Sequence, residues 1–84
     1  MPGPAIELRE EVIVALNARY PAIKRLFGVK KIGIFGSLAR GDDLPDSDID
    51  IEVEYEPGAD TYRNYIGLAL YLEDLFGGRK VDLV

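Results

Sequence analysis

The chain has 84 residues and a mass of 9.3 kDa, enough for one small domain with a thin core. Hydrophobic residues at 48% and charged residues at 30% are typical of a globular protein and argue against disorder. The absence of cysteine and histidine excludes disulfides, thiolate or imidazole metal sites, a Ser-His-Asp triad and a cysteine nucleophile. With no signal-peptide pattern and no apolar run near the ~20 residues of a membrane span, we expect a cytoplasmic protein without membrane contact.

Charge is distributed unevenly along the chain. Fifteen acids against ten bases give a net charge of −5, and nine of the acids lie between residues 42 and 60, where there is no base. An acidic surface repels the nucleic-acid backbone, so we expect no direct nucleic-acid binding. Taken alone, such a run most often forms a solvated loop or an edge strand, and only its spacing can indicate more.

The first half of the chain predicts a helix and then a buried strand. Apolar residues recur at helical spacing over residues 5–19. Pro21 is expected to end or kink this helix, and a second helical segment is expected over residues 22–27. The β-branched segment 29–35, bounded by glycines, then predicts a short buried strand.

Residues 48–55 alternate between apolar and acidic side chains, which predicts a half-buried strand. A helix is predicted over residues 60–76, with Asp60 as its N-cap, and a last strand over residues 79–84. The glycines that follow the helix, Gly77 and Gly78, are expected to cap its C-terminus. The helix carries an apolar stripe widened on both sides: Tyr62, Tyr65, Ile66, Ala69, Leu72 and Phe76, with Leu68, Tyr71 and Leu75.

This order of elements predicts an α+β fold in a single domain, residues 1–84. Three strands would form a small mixed sheet with the helices packed on one side. We expect the stripe of the last helix to pack on that sheet, although it is wider than so thin a core requires.

Three aspartates are predicted to share the exposed face of the sheet. Asp48 and Asp50 point the same way because alternate residues of a strand share a face about 6.6–6.8 Å apart. If Val81 and Leu83 face the core, Asp82 turns to the carboxylate side as well. Gathered carboxylates repel one another unless cations intervene, and Mg²⁺ prefers their oxygens. The alternative is an acidic edge strand that discourages aggregation.

A glycine loop, residues 36–41, follows the first strand directly. Glycine lets the backbone approach a ligand closely, and one helical turn starting at Ser37 would aim N–H groups at an anion. Ser37 and Arg40 add polar groups for a phosphate. The alternative is an ordinary strand-to-helix turn. The loop is not a Walker A motif, because Asp42 and Asp43 occupy the positions of its Lys and Ser/Thr.

The spacing of these residues resembles that of a known superfamily. Gly36-Ser37, ten residues, and Asp48-Ile49-Asp50 form the pattern G-S-x(10)-D-x-D. It is similar to the signature of the DNA-polymerase-β-like nucleotidyltransferases. The fuller strings G-S-L-A-R-G and S-D-I-D-I resemble the minimal nucleotidyltransferase branch, the MNT domains of HEPN/MNT toxin–antitoxin pairs. The resemblance covers residues 30–84 and implies the polymerase-β-like fold.

The resemblance also implies how the nucleotide is bound. Gly36 and Ser37 would hold the β- and γ-phosphates of a nucleoside triphosphate, typically ATP in this branch. Arg40 would be a further contact to the triphosphate.

For the metal site, the resemblance implies that Asp48 and Asp50 bind two Mg²⁺ ions. Asp82 would complete the catalytic metal site and orient the acceptor hydroxyl. The sequence ends two residues after Asp82, whereas family members usually continue with a short tail, so this ligand is expected near a carboxyl end.

Three functions remain open on the sequence alone. The first is an enzyme, a Mg²⁺-dependent adenylyltransferase that transfers AMP from ATP to a tyrosine hydroxyl of a partner HEPN toxin and so silences it. The second is a non-catalytic antitoxin that neutralises its toxin by masking, which the wide apolar stripe of the last helix would serve. The third is transfer to a small molecule, for which relatives usually carry a second domain. The acceptor would be recognised by this small unit or by a homo-oligomer of it.

Overall fold

The computed structural model describes residues 8–41 and 48–84. Predictions that fall on residues 1–7 and 42–47, including the start of the first helix and the acids Asp42, Asp43 and Asp46, lie outside these residues. The elements along the chain are α1 (Leu8–Phe27), β1 (Val29–Ile34), α2 (Gly36–Arg40), β2 (Ile49–Tyr55), α3 (Tyr62–Leu75) and β3 (Val81–Leu83).

The three strands form one mixed sheet in the order β1-β2-β3. β2 is central, antiparallel to β1 and parallel to β3. Ile51 lies opposite Ile34 of β1 and Leu83 of β3, so one face of the sheet is apolar across all three strands. The α+β class and the mixed three-stranded sheet predicted from the sequence are therefore confirmed.

The helices cover this apolar face only. Leu16 and Ile23 of α1, together with Leu68 and Leu72 of α3, are buried against it. All the buried side chains of the described residues are apolar and form one cluster: Val12, Leu16, Ile23, Val29, Leu38, Ile49, Ile51, Leu68, Leu72, Val81 and Leu83. The opposite face of the sheet is left to the acidic side chains of β2.

The prediction that the first helix ends at Pro21, with a separate segment at 22–27, is wrong, while the alternative of a kink at Pro21 stays a prediction. α1 is continuous through Pro21 to Phe27. Proline cannot donate the hydrogen bond that the carbonyl of Asn17 would accept. Both Pro21 and Asn17 are exposed, so water can take that place, while buried Leu16 and Ile23 hold the two halves on the sheet.

The last helix differs from its prediction at its beginning and in its buried face. The N-cap is Thr61 rather than Asp60, because the Thr61 hydroxyl accepts a hydrogen bond from the backbone N–H of Asn64 at 3.1 Å. Leu68 and Leu72 are the buried residues of α3, whereas Tyr62 of the predicted stripe is 79% exposed. Neither described stretch of the chain contains a helix both long enough and apolar enough to span a membrane.

Candidate active site

The parallel pairing of β2 and β3 brings two carboxylates side by side. Asp50 lies directly opposite Asp82, between the apolar pairs Ile49–Val81 and Ile51–Leu83. Because side chains of register partners project to the same face, both aspartates lie on the face opposite the core. Asp50 is half-buried and Asp82 is exposed. The register thus places the third predicted aspartate beside the second.

Asp48 precedes β2 and lies on the same face, two residues before Asp50. Lys80 forms an ion pair with it, with 3.9 Å between Nζ and a carboxylate oxygen of Asp48. The Lys80 side chain is 77% exposed, so this long ion pair adds little to stability and leaves the carboxylate accessible.

The backbone of Gly36 lies directly against the side chain of Asp50. Its φ of 69° lies in the left-handed region, and a Cβ added there would lie 2.5 Å from Oδ2 of Asp50. Both facts require glycine at this position. The preceding residue, Phe35, donates its backbone N–H to the carbonyl of Asp50 at 3.1 Å, which fixes where the loop leaves the sheet. The glycine loop and the aspartate strand therefore meet at one point.

The rest of the glycine loop is the short helix α2, which is held in place by the core and by α1. Leu38 is buried in the core. Arg9 of α1 donates from Nη1 to the carbonyl of Ala39 at 3.2 Å. Ser37 is the second residue of α2, and Arg40, its last residue, is exposed. Sequence reasoning missed Arg9, since it belongs to no motif and lies 30 residues from the carbonyl it contacts.

The acidic face continues along β2 beyond the aspartates, where this strand pairs with β1. Glu52 lies opposite Gly33, and Glu54 lies opposite Lys31. Together with Ile32, these four residues line an open groove of about 360 Å³. A Cβ added at Gly33 would have no neighbour within 4 Å, so this glycine leaves room on the same face as the aspartates.

The opposite face of β2 has a different chemistry. Tyr55 is the last residue of β2 and lies on its apolar face. Its hydroxyl is buried with no hydrogen-bond partner among the described residues. Burial raises the pKa of this phenol above its ordinary value of 10.0, and Tyr65 and Asp60 raise it further. The tyrosine therefore belongs to the core and stays protonated at neutral pH.

The carboxylates of Asp48, Asp50 and Asp82 suit a hard divalent cation, although their side chains are not arranged as a complete metal site. Within residues 8–41 and 48–84, no three acidic side chains are gathered closely enough to form one. Asp50 and Asp82 are nevertheless register partners, and the backbone of Gly36 lies against the carboxylate of Asp50. Carboxylate oxygens on one exposed face are the ligands that Mg²⁺ prefers.

Comparisons with known proteins identify the family of the chain. The model of the nucleotidyltransferase domain family matches residues 21–84. The chain is 44% identical over 75 residues to protein adenylyltransferase MntA of Thermococcus cleftensis, covering 89% of this chain and 74% of that protein. It is 48% identical over 74 residues to the putative protein adenylyltransferase MJ0128 of Methanocaldococcus jannaschii, covering 88% of this chain and 74% of that protein.

A further protein of that organism, the putative protein adenylyltransferase MJ1379, is 40% identical over 75 residues, covering 88% of this chain and 74% of that protein. No solved structure matches the chain significantly. The family resemblance of the G-S-x(10)-D-x-D pattern is confirmed by these matches. The chain therefore belongs to the nucleotidyltransferase domain family and is a nucleotidyltransferase of the minimal, MNT type.

Proposed function

We propose that this nucleotidyltransferase transfers AMP from ATP to a tyrosine hydroxyl of a partner HEPN toxin and thereby acts as an antitoxin. The observation that carries the proposal is the contact of the glycine loop with the aspartate strand: Gly36 lies against the carboxylate of Asp50, and Asp50 lies opposite Asp82. The names of the relatives, protein adenylyltransferases, support a protein as the acceptor.

In this proposal, the glycine loop binds the triphosphate. Gly36 and Ser37 hold the β- and γ-phosphates through a backbone that can approach closely, since Gly36 has no side chain. Arg40, exposed at the end of α2, supplies a positive charge for the phosphates. Arg9 is a positioning residue, because it holds the carbonyl of Ala39 and hence the turn that carries these groups.

Asp48, Asp50 and Asp82 would hold two Mg²⁺ ions, which supply charge neutralisation for the phosphates and a lower pKa for the acceptor hydroxyl. Without cations, the acidic face would repel ATP, because it bears carboxylates from two strands and Lys80 pairs only weakly with one of them. The carboxylates themselves orient the two reactants on the side of the sheet opposite the core.

The reaction forms one bond and breaks one. The acceptor oxygen attacks the α-phosphorus of ATP, a P–O bond forms to that oxygen, and the bond from the α-phosphorus to the pyrophosphate oxygen breaks. Asp82 accepts a hydrogen bond from the acceptor hydroxyl, and its carboxylate takes up the proton. Pyrophosphate leaves, and AMP remains on the acceptor. The contribution of the chain is mainly orientation and electrostatic stabilisation.

The test is a transfer assay in which ATP is labelled either at the α- or at the γ-phosphate. The purified partner encoded next to this chain is incubated with the protein, Mg²⁺ and one of the two labels. We expect the α-label and not the γ-label to reach the partner. Asp50→Asn should abolish transfer, and Glu54→Gln, on the same strand and the same face, should preserve it.

Two outcomes would contradict the proposal. Transfer of the γ-label would indicate a phosphotransferase. Tight binding with no transfer, together with an Asp50→Asn variant that neutralises the partner as well as the parent chain does, would instead indicate an antitoxin that acts by masking.

A further inference from the structure

The outward side of α3 is an apolar surface that no described element covers. Tyr62, Ile66 and Leu70 recur every four residues and are 79%, 37% and 62% exposed. Tyr65, stacked on Tyr62 with ring centroids 6.5 Å apart, is 41% exposed. We call these four residues the α3 outer stripe. An exposed apolar patch that is contiguous along a helix is typical of an interaction surface.

The α3 outer stripe is separate from the candidate active site. α3 packs on the apolar face of the sheet through Leu68 and Leu72, which are fully buried. Tyr62, Ile66 and Leu70 project from the other side of the same helix, and Tyr65 lies on the flank, stacked on Tyr62. Helix and sheet therefore lie between the stripe and Asp50, and a protein bound to the stripe would leave the acidic face open.

The charges beside the stripe are arranged for pairing with an identical helix. Arg63 lies in the first turn of α3 and Asp74 in the last, and both are exposed. They are eleven residues apart, about three turns of 3.6 residues each, so they lie on the same flank of the helix. An antiparallel copy of α3 would bring Asp74 of the partner subunit to Arg63, and the reverse pair would form by symmetry.

We propose that the α3 outer stripe binds a second copy of this chain across a two-fold axis at the level of Leu68. The midpoint between residues 66 and 70 along the helix is residue 68, and the midpoint between residues 63 and 74 falls directly after it. One axis therefore packs Ile66 against Leu70 of the partner subunit and forms two Arg63–Asp74 ion pairs.

The overall charge agrees with this orientation. Each chain carries a net charge of −5, so two copies repel one another unless their acidic surfaces face apart. Association through α3 keeps both acidic sheet faces on the outside. The stripe is small compared with a standard interface of about 800 Å² per partner, so the dimer forms reversibly and depends on concentration.

Sedimentation of the full chain tests the proposal. The average mass should rise from 9.3 kDa towards twice that value as concentration increases from about 10 μM to about 1 mM. Leu70→Glu should weaken association at least about tenfold. Arg63→Asp and Asp74→Arg should each weaken it about tenfold, and the double variant should restore association to within about threefold of the parent. Arg19→Asp, an exposed reversal on α1, is the control.

A mass of 9.3 kDa at every concentration would overturn the proposal. In that case, loss of toxin binding by Leu70→Glu would assign the stripe to the toxin. A dimer that survives Leu70→Glu, or a double charge reversal no better than the single ones, would also overturn it. Circular dichroism of each variant shows that the fold is kept.

Discussion

The two faces of β2 carry the same backbone and opposite chemistry. On one face, Ile49 and Ile51 are fully buried beneath the helices. On the other, Asp50 and Glu52 point away from the core, and no helix of the described residues covers them. The strand period of two makes this division, since each step along the chain changes the face. Consequently, substitutions one residue apart should affect either stability or activity, and seldom both.

The acidic face keeps an arrangement that lowers stability. Asp50 and Asp82 are register partners, and like charges placed directly opposite destabilise a sheet. A structural purpose alone would favour opposite charges there, as in the pair Lys31 and Glu54 at the far end of the same face. The aspartate pair is therefore the part of the sheet in which function and stability oppose each other.

Asp50→Asn gives the largest expected separation of the two faces. The rate of AMP transfer should fall by about 10³-fold, because a charged ligand and orienting group is lost. The free energy of unfolding should stay the same or rise by up to about 1 kcal/mol, as the repulsion from Asp82 is relieved. Transfer assays and urea unfolding measure the two quantities. If Asp50→Asn lost activity only because it unfolded, the assignment of activity to one face and stability to the other would be wrong.

Ile51→Ala tests the other face. Ile51 is fully buried between β1 and β3, so its truncation should lower the free energy of unfolding by about 2–5 kcal/mol. Ile51→Val should cost about 1 kcal/mol and keep the transfer rate of the folded protein. The control is Glu52→Gln, the next residue, which is exposed and should change stability by less than about 0.5 kcal/mol. A similar loss at both positions in urea unfolding would contradict the division.

Gly36→Ala should affect both properties because Gly36 joins the loop to the acidic face. Its positive φ makes alanine unfavourable by about 1–2 kcal/mol, and the new Cβ would also displace the Asp50 carboxylate. A displaced ligand should slow transfer by about 10²-fold.

The matched control for Gly36→Ala is Gly58→Ala. Gly58 has a φ of 83° with no atom within 4 Å of an added Cβ, so it incurs the backbone cost alone. We expect similar losses of stability from backbone strain in the two variants, with the transfer rate reduced in Gly36→Ala only. Equal rates would show that the contact with Asp50 is unimportant.

Tyr55→Phe should have the smallest effect. It removes a buried hydroxyl without a hydrogen-bond partner among the described residues, and should raise the free energy of unfolding by up to about 1 kcal/mol. Because the folded state raises the pKa of Tyr55, the parent chain should lose stability as pH rises above about 10, towards the folded pKa. Urea unfolding at several alkaline pH values should show a smaller loss for Tyr55→Phe. An identical pH dependence would contradict the raised pKa.

Local patterns were sufficient to predict the division of β2 into two faces. Alternation requires only the neighbouring residues, so the outward direction of Asp48 and Asp50 followed from the sequence. The position of Asp82 followed from the same alternation in residues 81–83 once β3 was taken as a neighbour of β2, which the register confirms.

Features that depend on tertiary contacts could not be predicted in this way. Apolar residues surround α3 on most sides, so its sequence did not reveal that Leu68 and Leu72 face the sheet while Tyr62 faces outward. A contact with α1 helps to fix that rotation, since an added Cβ at Gly67 would lie 2.9 Å from the ring of Phe27. The close approach of Gly36 to Asp50 likewise joins segments that are distant in sequence.

The most direct test of the account is to map the metal site by iron-dependent cleavage of the backbone. Fe²⁺ replaces Mg²⁺ at the site. Ascorbate and dissolved oxygen then generate radicals at the bound iron, and these radicals cut the backbone nearby. We expect cuts at three separated segments, near Gly36, at Asp48–Asp50 and near Asp82, and we expect excess Mg²⁺ and Asp50→Asn to suppress them. Cuts centred elsewhere, for example at Glu54, or cuts that persist in Asp50→Asn, would contradict it.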